Sequence, residues 1–214
     1  MKKLSMKNRD YFYYWCVVVC CVLSVSCGEE TAGKQTTAPD TTLPKPAADT
    51  AALRNGIVPG ERLGHITLGL IADSIETILG TPDSSDAAMG KAWLTWRGKE
   101  KGASPSVLNL YTAYKDTSMA VKTVQQIRTT SPFFKTFSNV HVGSSVTIVQ
   151  QQFPAVIATA TYTQDSAAFT LYDDVAAGIA FEISNAVCSG ILIHKKGARA
   201  DAIYMMLHPD MKKK

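Results

Sequence analysis

The sequence has almost no cysteine in its folded part. Four of its five cysteines lie at or before residue 27, which leaves Cys188 as the one later cysteine. A single cysteine excludes an internal disulfide downstream of residue 27. Because Cys188 lies among Ile183, Val187 and Ile191, we expect it to be a small buried apolar residue and not a catalytic thiol.

Excess charge is also missing. The chain has 22 basic and 18 acidic residues, a formal net charge of +4. Four of the basic residues and one acid precede residue 27, so 18 basic and 17 acidic residues follow. This balance excludes the broad basic surface with which proteins bind nucleic acid. The terminal Lys212–Lys214 could touch an anionic membrane, but a solvated tail is the favoured interpretation.

Recognisable catalytic motifs are absent from the sequence. It has no helical His pair of the zinc-protease type, no Gly-x-Ser-x-Gly and no glycine-rich phosphate loop. Asp173-Asp174 could form a carboxylate pair, but their position between two apolar runs favours a hairpin turn. We therefore predict no catalytic residue, no metal site and no cofactor, and the chain is not expected to be an enzyme. The sequence has four histidines, at positions too far apart for such a pair: His65, His141, His194 and His208.

The N-terminus has the three parts of an export signal. A basic stretch precedes the apolar run Tyr11–Val25, and small residues lead to Cys27. This arrangement resembles the signal of bacterial lipoproteins, which implies removal of residues 1–26 and diacylglycerol and palmitate on Cys27. The alternative is a membrane-spanning signal anchor, for which the apolar run is short.

The residues that follow Cys27 indicate where the anchored protein would lie. Gly28 is followed by Glu29-Glu30, with no Asp directly after the cysteine. This resembles outer-membrane lipoproteins, and the acidic pair resembles the surface-export signal of Bacteroidetes. We expect an outer-membrane protein of the cell envelope, facing the periplasm or the surface. Residues 27–55 are rich in Thr, Ala, Pro and charge, and predict a flexible linker.

The folded part contains an internal repeat. HITLG (65–69) before an apolar helical stripe resembles NVHVG (139–143) before a second one. In the first helix Ile71, Ile75, Ile78 and Leu79 form the stripe, and Gly80 ends it. In the second, Ser145 is the predicted N-cap and Val149 the central apolar residue. We place the repeats at residues 56–135 and 136–214.

Strand-like segments follow each predicted helix. The sequence therefore predicts an α+β fold, a tandem repeat of short helices packed on antiparallel sheet, preceded by the signal peptide and a disordered linker. The predicted strands are residues 92–97, 107–114 and 121–130 in the first repeat, and 159–163, 168–172, 178–183 and 190–194 in the second.

A Leu-Gly turn, a short helix, Gly-x-Pro (80–82) and a strand with Trp93 and Trp96 resemble the SmpA/OmlA (BamE) outer-membrane lipoproteins. In tandem, these elements also resemble β-lactamase inhibitor protein. The resemblance implies a small binding domain on a lipid anchor.

Aromatic residues are the best candidates for a binding surface. Trp93 and Trp96 have opposite parity along one strand, as have Tyr111 and Tyr114, so one tryptophan can enter the core and the other lies on the opposite face. If the domain binds a partner through that face, this second tryptophan is expected to be exposed; the alternative is that the second repeat covers the face. We predict a lipid-anchored, non-catalytic module that binds another envelope protein, in assembly or scaffolding. The alternatives are an inhibitor of an envelope hydrolase or a small enzyme with a composite site.

Overall fold

The computed structural model describes residues 54–99, 105–203 and 207–214. These residues belong to one compact unit. The predicted signal peptide, Cys27 and the linker up to residue 53 lie outside the described residues.

Most of the described chain is β-structure, in two sheets. Numbered along the described chain, the strands are β1 (Gly56–Val58), β2 (Arg62–Leu63), β3 (Ile66–Thr67), β4 (Ser84–Ala88), β5 (Lys91–Arg97), β6 (Val107–Tyr114), β7 (Lys122–Thr129), β8 (Lys135–Thr136), β9 (Ile157–Gln164), β10 (Ala167–Asp174), β11 (Ile179–Ser184), β12 (Val187–His194) and β13 (Lys212–Lys213). A four-stranded sheet has the spatial order β3-β2-β1-β8, and a nine-stranded sheet has the order β13-β9-β10-β11-β12-β7-β6-β5-β4.

The nine-stranded sheet is antiparallel throughout. In the small sheet, β1 pairs with β8 in parallel. Two α-helices lie wholly within the described residues, and both are short: α1 is Ile75–Leu79 and α2 is Val146–Gln152. Among the described helices, none has the length and apolar character that crossing a bilayer requires.

The predicted α+β fold of helices covering tandem sheets is wrong. Helices of five and seven residues are too short to form a layer over a sheet of nine strands. The two predicted halves also share that sheet, because β7 pairs with β12 and Ile127 lies opposite Ile193. The boundary at residue 135 stays a prediction, but β7 and β12 come from opposite sides of it.

Local predictions were more accurate than the fold class. The strand predicted at 107–114 has the bounds of β6, and each of the other six predicted strands overlaps an observed one. The Ser145 side chain accepts a hydrogen bond from the Ile148 backbone N–H at 3.3 Å, as an N-cap does. Gly80 follows α1 with φ of +74°, a conformation that glycine adopts without strain.

The predicted stripe of the first helix is only partly buried. Ile75 is fully buried, whereas Ile71 and Ile78 are about half exposed. The reason is that α1 begins at Ile75, so helical spacing does not apply to Ile71. Ile71 instead lies in extended backbone, in a β-bridge with Thr123.

One face of the nine-stranded sheet is apolar. Ile75 of α1 and Val149 of α2 are both fully buried and pack in one cluster with Leu110, Ile127 and Phe181 of the sheet. Each such side chain contributes about 1.5–3 kcal/mol through its removal from water. This cluster is the main core of the protein.

The opposite face of this sheet carries the buried charged and polar side chains, and we call it the polar face, although it also has a small apolar cluster of Ala160, Leu171, Ala180, Leu192 and Ala200. It is also covered, by the C-terminal segment at residues 200–203 and 207–211, before β13 joins the edge of the sheet beside β9. Gln126 on β7 donates to the Ala200 carbonyl at 2.8 Å, and the Asp210 carboxylate accepts from the Thr163 N–H at 2.7 Å. Further along, His208 stacks on Tyr162 with 3.7 Å between ring centroids. The sheet thus has two buried faces of different chemistry.

Candidate functional site

The four aromatic residues predicted to form a binding surface are placed on different sides of the sheet. Trp93 and Tyr111 lie on the polar face with their ring centroids 5.4 Å apart, and each is only 4% exposed. Trp96 packs against the apolar core, and its Nε1–H donates to the Gly80 carbonyl at 3.1 Å. The opposite orientation of the two tryptophans is confirmed. Neither is largely exposed, and Trp93 lies beneath residues of the predicted second repeat, which was the alternative to an exposed binding surface. Tyr114 is exposed at 36%.

A buried ion pair dominates the polar face. Arg128 on β7 donates from Nε and Nη2 to the carboxylate of Glu182 on β11, with Nη2–Oε2 at 2.6 Å. Its Nη1–H donates to Asn109 Oδ1 at 3.0 Å. Gly190, opposite Glu182 in β12, makes room for the pair, because a methyl group there would overlap Glu182 Oε2.

Each residue of this pair stabilises the ionised form of the other. Burial by itself raises the pKa of Glu182, but the Arg128 charge and the hydrogen bonds around the carboxylate hold that pKa well below its usual value. Burial likewise acts to lower the pKa of Arg128, and Glu182 raises it above the ordinary value. Burial beside Glu182 raises the pKa of Tyr162, so the phenol stays protonated.

This polar cluster has little room for a ligand. The cavity beside it measures about 20 Å³ and is lined by Trp93, Arg128, Glu182 and His208, among others. Such a volume accommodates a single water molecule. His208 Nε2 lies 3.6 Å from Glu182 Oε1. Two buried polar atoms of the cluster, Tyr162 Oη and His208 Nε2, have no hydrogen-bond partner among the described residues. The cavity that the described residues form here is too small for a substrate.

The two aspartates predicted to form a hairpin turn are buried at the end of β10. Asp173 accepts from the Ala200 N–H at 2.8 Å and lies 2.9 Å from His194 Nε2. Asp174 Oδ1 accepts from the Ala177 N–H at 2.9 Å. The turn itself follows at residues 175–178. Nothing in the spacing of the two aspartates distinguished a buried strand end from an exposed turn.

The remaining candidate ligands and nucleophiles lie apart. His65 is exposed in a turn and His141 is half-buried. Among the described residues, no three His, Cys, Asp or Glu side chains are placed to hold a metal ion. Cys188 is a buried free thiol, as expected, and burial raises its pKa to about 12, which makes it a poor nucleophile.

The surface offers a larger concave feature, which we call the hairpin groove. It has a volume of about 730 Å³ and lies where the connection from β6 to β7 meets the residues that follow β3. Two charged side chains line it, Lys115 and Lys195, and both are basic. The described lining residues are Gly60, Leu68, Gly69, Ile71, Lys115, Val121, Thr123, Val124, Gln125 and Lys195.

Two exposed apolar side chains, Ile71 and Val121, line this groove. Three more belong to the end of β6 and to the connections β4–β5 and β6–β7, and we call the five residues the hairpin patch. The patch consists of Ile71, Met89, Tyr114, Met119 and Val121, which are between 36% and 79% exposed.

Several contacts bring the patch residues together. Ile71 bridges to Thr123, two residues from Val121. Tyr114 lies opposite Lys122, whose Nζ is 5.1 Å from the centre of its ring. A methyl group at Gly90, next to Met89, would overlap the Tyr114 ring. Met119 lies in the β6–β7 connection.

The outer strand β4 continues this surface. All five of its residues are exposed, and β4 ends next to Met89. It is the last strand of the described sheet, and the edge of such a strand can pair with an extended segment of another protein. Sequence reasoning missed β4, because Ser-Ser-Asp-Ala-Ala has low β-propensity, and it found only Tyr114 of the patch.

Comparison with known proteins gives no further guide to function. The chain matches no protein-family model, no curated protein and no solved structure. The resemblance to outer-membrane lipoproteins therefore stays a prediction, and the geometry of the hairpin groove and patch is the basis for assigning a role.

Proposed function

We propose that this chain is a lipid-anchored cell-envelope protein that binds another envelope protein without catalysis. The observation that supports it is the hairpin patch, a set of exposed apolar side chains of which Ile71 and Val121 line the hairpin groove. Contiguous exposed apolar surface rimmed by polar groups is typical of protein interaction sites.

The chemistry of the patch suits a protein surface. Methionine and tyrosine are common at interfaces, because methionine adapts its shape and tyrosine combines a large apolar ring with a polar hydroxyl. Met89 and Met119 are 79% and 65% exposed. Lys115 and Lys195 in the groove favour a partner segment that carries acidic side chains.

The lipid anchor rests on the sequence around Cys27. Attachment of acyl chains there would supply most of the membrane affinity. Replacing Cys27 by Ala should therefore move the protein from the membrane fraction to the soluble fraction. Retention of the Cys27→Ala variant in the membrane after a high-salt wash would overturn the lipid anchor and favour the signal-anchor alternative.

Site-specific photocrosslinking in intact cells tests the binding role. A photoreactive amino acid in place of Val121 or Met119 should give one discrete crosslinked partner. The matched control places it at Ile148, which is exposed on α2 at 44%. The same adducts from all three positions, or none from the patch, would remove the proposed interface.

A further inference from the structure

A second exposed apolar feature lies in the small sheet, away from the residues of the hairpin patch. Phe137, in the turn after β8, has its whole side chain in solvent at 107% exposure. Phe133, just before β8, is 54% exposed. We call Phe133, Lys135 and Phe137, together with Arg62, the linker-side face.

This face lies where the linker joins the domain. In the parallel pair of β1 and β8, Gly56 is opposite Lys135 and Ile57 is opposite Thr136. Phe137 is the next residue after β8, so it lies beside β1. Arg54 and Asn55 precede β1 in the sequence and connect it to the predicted linker. A shallow groove of about 420 Å³ connects Asn55 with Phe137.

The charges on the face are of one sign. Among the described residues that line the shallow groove, Arg62 and Lys135 are the charged ones, and both are basic. Lys135 is exposed, and Arg62 is held in place through a hydrogen bond from Nη1 to the Gly64 carbonyl at 2.9 Å. Exposed phenylalanines beside lysine and arginine have the composition of protein surfaces that lie in a membrane interface.

We propose that the linker-side face contacts the phospholipid bilayer in which Cys27 is anchored. Phe137 and Phe133 would enter the interface, and Lys135 and Arg62 would face anionic headgroups. This inference rests on the lipid anchor of the proposed function. The flexible linker that the sequence predicts before Arg54 would have a coil span of roughly 25–30 Å, which would hold the face near the membrane.

Tethering explains why so small a face suffices. Two phenylalanines and two basic residues bind a free vesicle weakly, but the anchor turns this contact into an intramolecular one at high effective concentration. The contact would orient the domain on the membrane. The hairpin patch, formed by other elements, would remain available to a protein partner.

Depth-dependent fluorescence quenching tests the orientation. The full chain carrying Phe137→Trp is expressed, purified in its membrane-anchored form and reconstituted into vesicles of phosphatidylethanolamine and phosphatidylglycerol, with or without brominated acyl chains. The fluorescence of the introduced tryptophan is the emission of this variant minus that of the unaltered chain. We expect brominated lipid to reduce it. The buried Trp93 and the half-buried Trp96 set the background.

Matched variants make the result specific. Phe133→Trp should also lose emission, and Met119→Trp, on the hairpin patch, should not. Adding Lys135→Glu to Phe137→Trp, or omitting phosphatidylglycerol, should reduce the quenching. Equal quenching at Phe137 and Met119, or none at Phe137 and Phe133, overturns the inference.

Vesicle flotation of the same samples separates the two proposals. If the protein floats with the vesicles, the Cys27→Ala variant does not float, and neither phenylalanine position shows quenching, the lipid anchor stands and only the oriented contact is wrong. If the protein does not float, the lipid anchor is wrong and the oriented contact is overturned with it.

Discussion

The two faces of the nine-stranded sheet are both buried, but their chemistry differs. One face packs Ile75 and Val149 against Leu110 and Phe181, a core held by removal of apolar surface from water. The other adds buried charges to a smaller apolar cluster, with Glu182 at 1% exposure and Asp173 at 0%, beneath the C-terminal segment. On this polar face, the stability of the Arg128–Glu182 pair depends on each charge keeping its partner.

The two faces differ in how they tolerate change. An apolar core loses stability in proportion to the volume removed, whereas a buried ion pair loses most when one partner is left alone. The arrangement of Arg128 and Glu182 makes the polar face the more sensitive of the two to single substitutions, and the more tolerant of a matched double substitution.

The largest expected effect is that of Arg128→Ala. Removing the guanidinium leaves Glu182 buried without its charged partner, which should lower the free energy of unfolding by about 3–5 kcal/mol. Urea denaturation followed by circular dichroism measures this. The double variant Arg128→Leu with Glu182→Leu should recover much of the loss. A double variant as unstable as the single one would show that packing, and not the charge balance, dominates the polar face.

The second largest effect on stability is expected from substitutions on the apolar face. Ile75→Ala should cost about 2–5 kcal/mol, and Val149→Ala on the order of 1–3 kcal/mol, because each leaves a cavity in the core. Ile78→Ala is the control, since Ile78 is 46% exposed on the same helix. A near-neutral Ile75→Ala in the same denaturation experiment would mean that α1 does not pack on the sheet.

Much of the local structure was predictable from the sequence, and the reasons are local. The alternation of Leu108, Leu110 and Thr112 predicted β6, and a serine before an apolar helical stripe predicted the cap at Ser145. These signals need only neighbouring residues. The pairing of Ile127 with Ile193 joins segments far apart in the chain, and no periodicity encodes it. For this reason the predicted tandem α+β architecture was wrong.

The buried polar face was missed for a related reason. Polar residues alternating with apolar ones in a strand usually face water, so Asn109, Gln126 and Glu182 gave no sign of burial. What buries them is the C-terminal segment, whose sequence alone does not reveal where it docks. The same cover explains why Trp93 and Tyr111, predicted as binding residues, are buried.

Acid should distinguish the two faces further. The pKa of Glu182 lies below its usual value of about 4.3, so its stabilising effect is present above that pH. The effect is lost progressively as the pH falls toward the folded-state pKa, at about 1.4 kcal/mol for each unit of pKa shift. Unfolding free energies between neutral and acidic pH should show this slope.

Two variants test whether this pH dependence of the unfolding free energy comes from the polar face. Glu182→Gln should reduce the pH dependence, although this variant is less stable overall. Glu61→Gln, which removes a carboxylate paired with Lys196 at the surface, should leave the slope in place. If Glu182→Gln retained the full slope, acid sensitivity would have to arise elsewhere in the chain.

The smallest effect on stability is expected outside both faces, on the hairpin patch. Met119→Ser replaces a side chain that is 65% exposed, so the free energy of unfolding should change by less than about 0.5 kcal/mol. Its effect on binding should be larger, because a methionine buried in an interface loses its contacts on truncation. If Met119 is a central contact, binding should weaken by about 1–2 kcal/mol, or roughly 5- to 30-fold in affinity.

Ile148→Ser on α2 is the matched control and should leave partner capture unchanged. Binding is measured with the partner that crosslinking identifies. Weaker binding at unchanged stability would show that different parts of the molecule provide stability and recognition. Equal binding by the Met119→Ser variant and the unaltered chain would exclude Met119 from the interface.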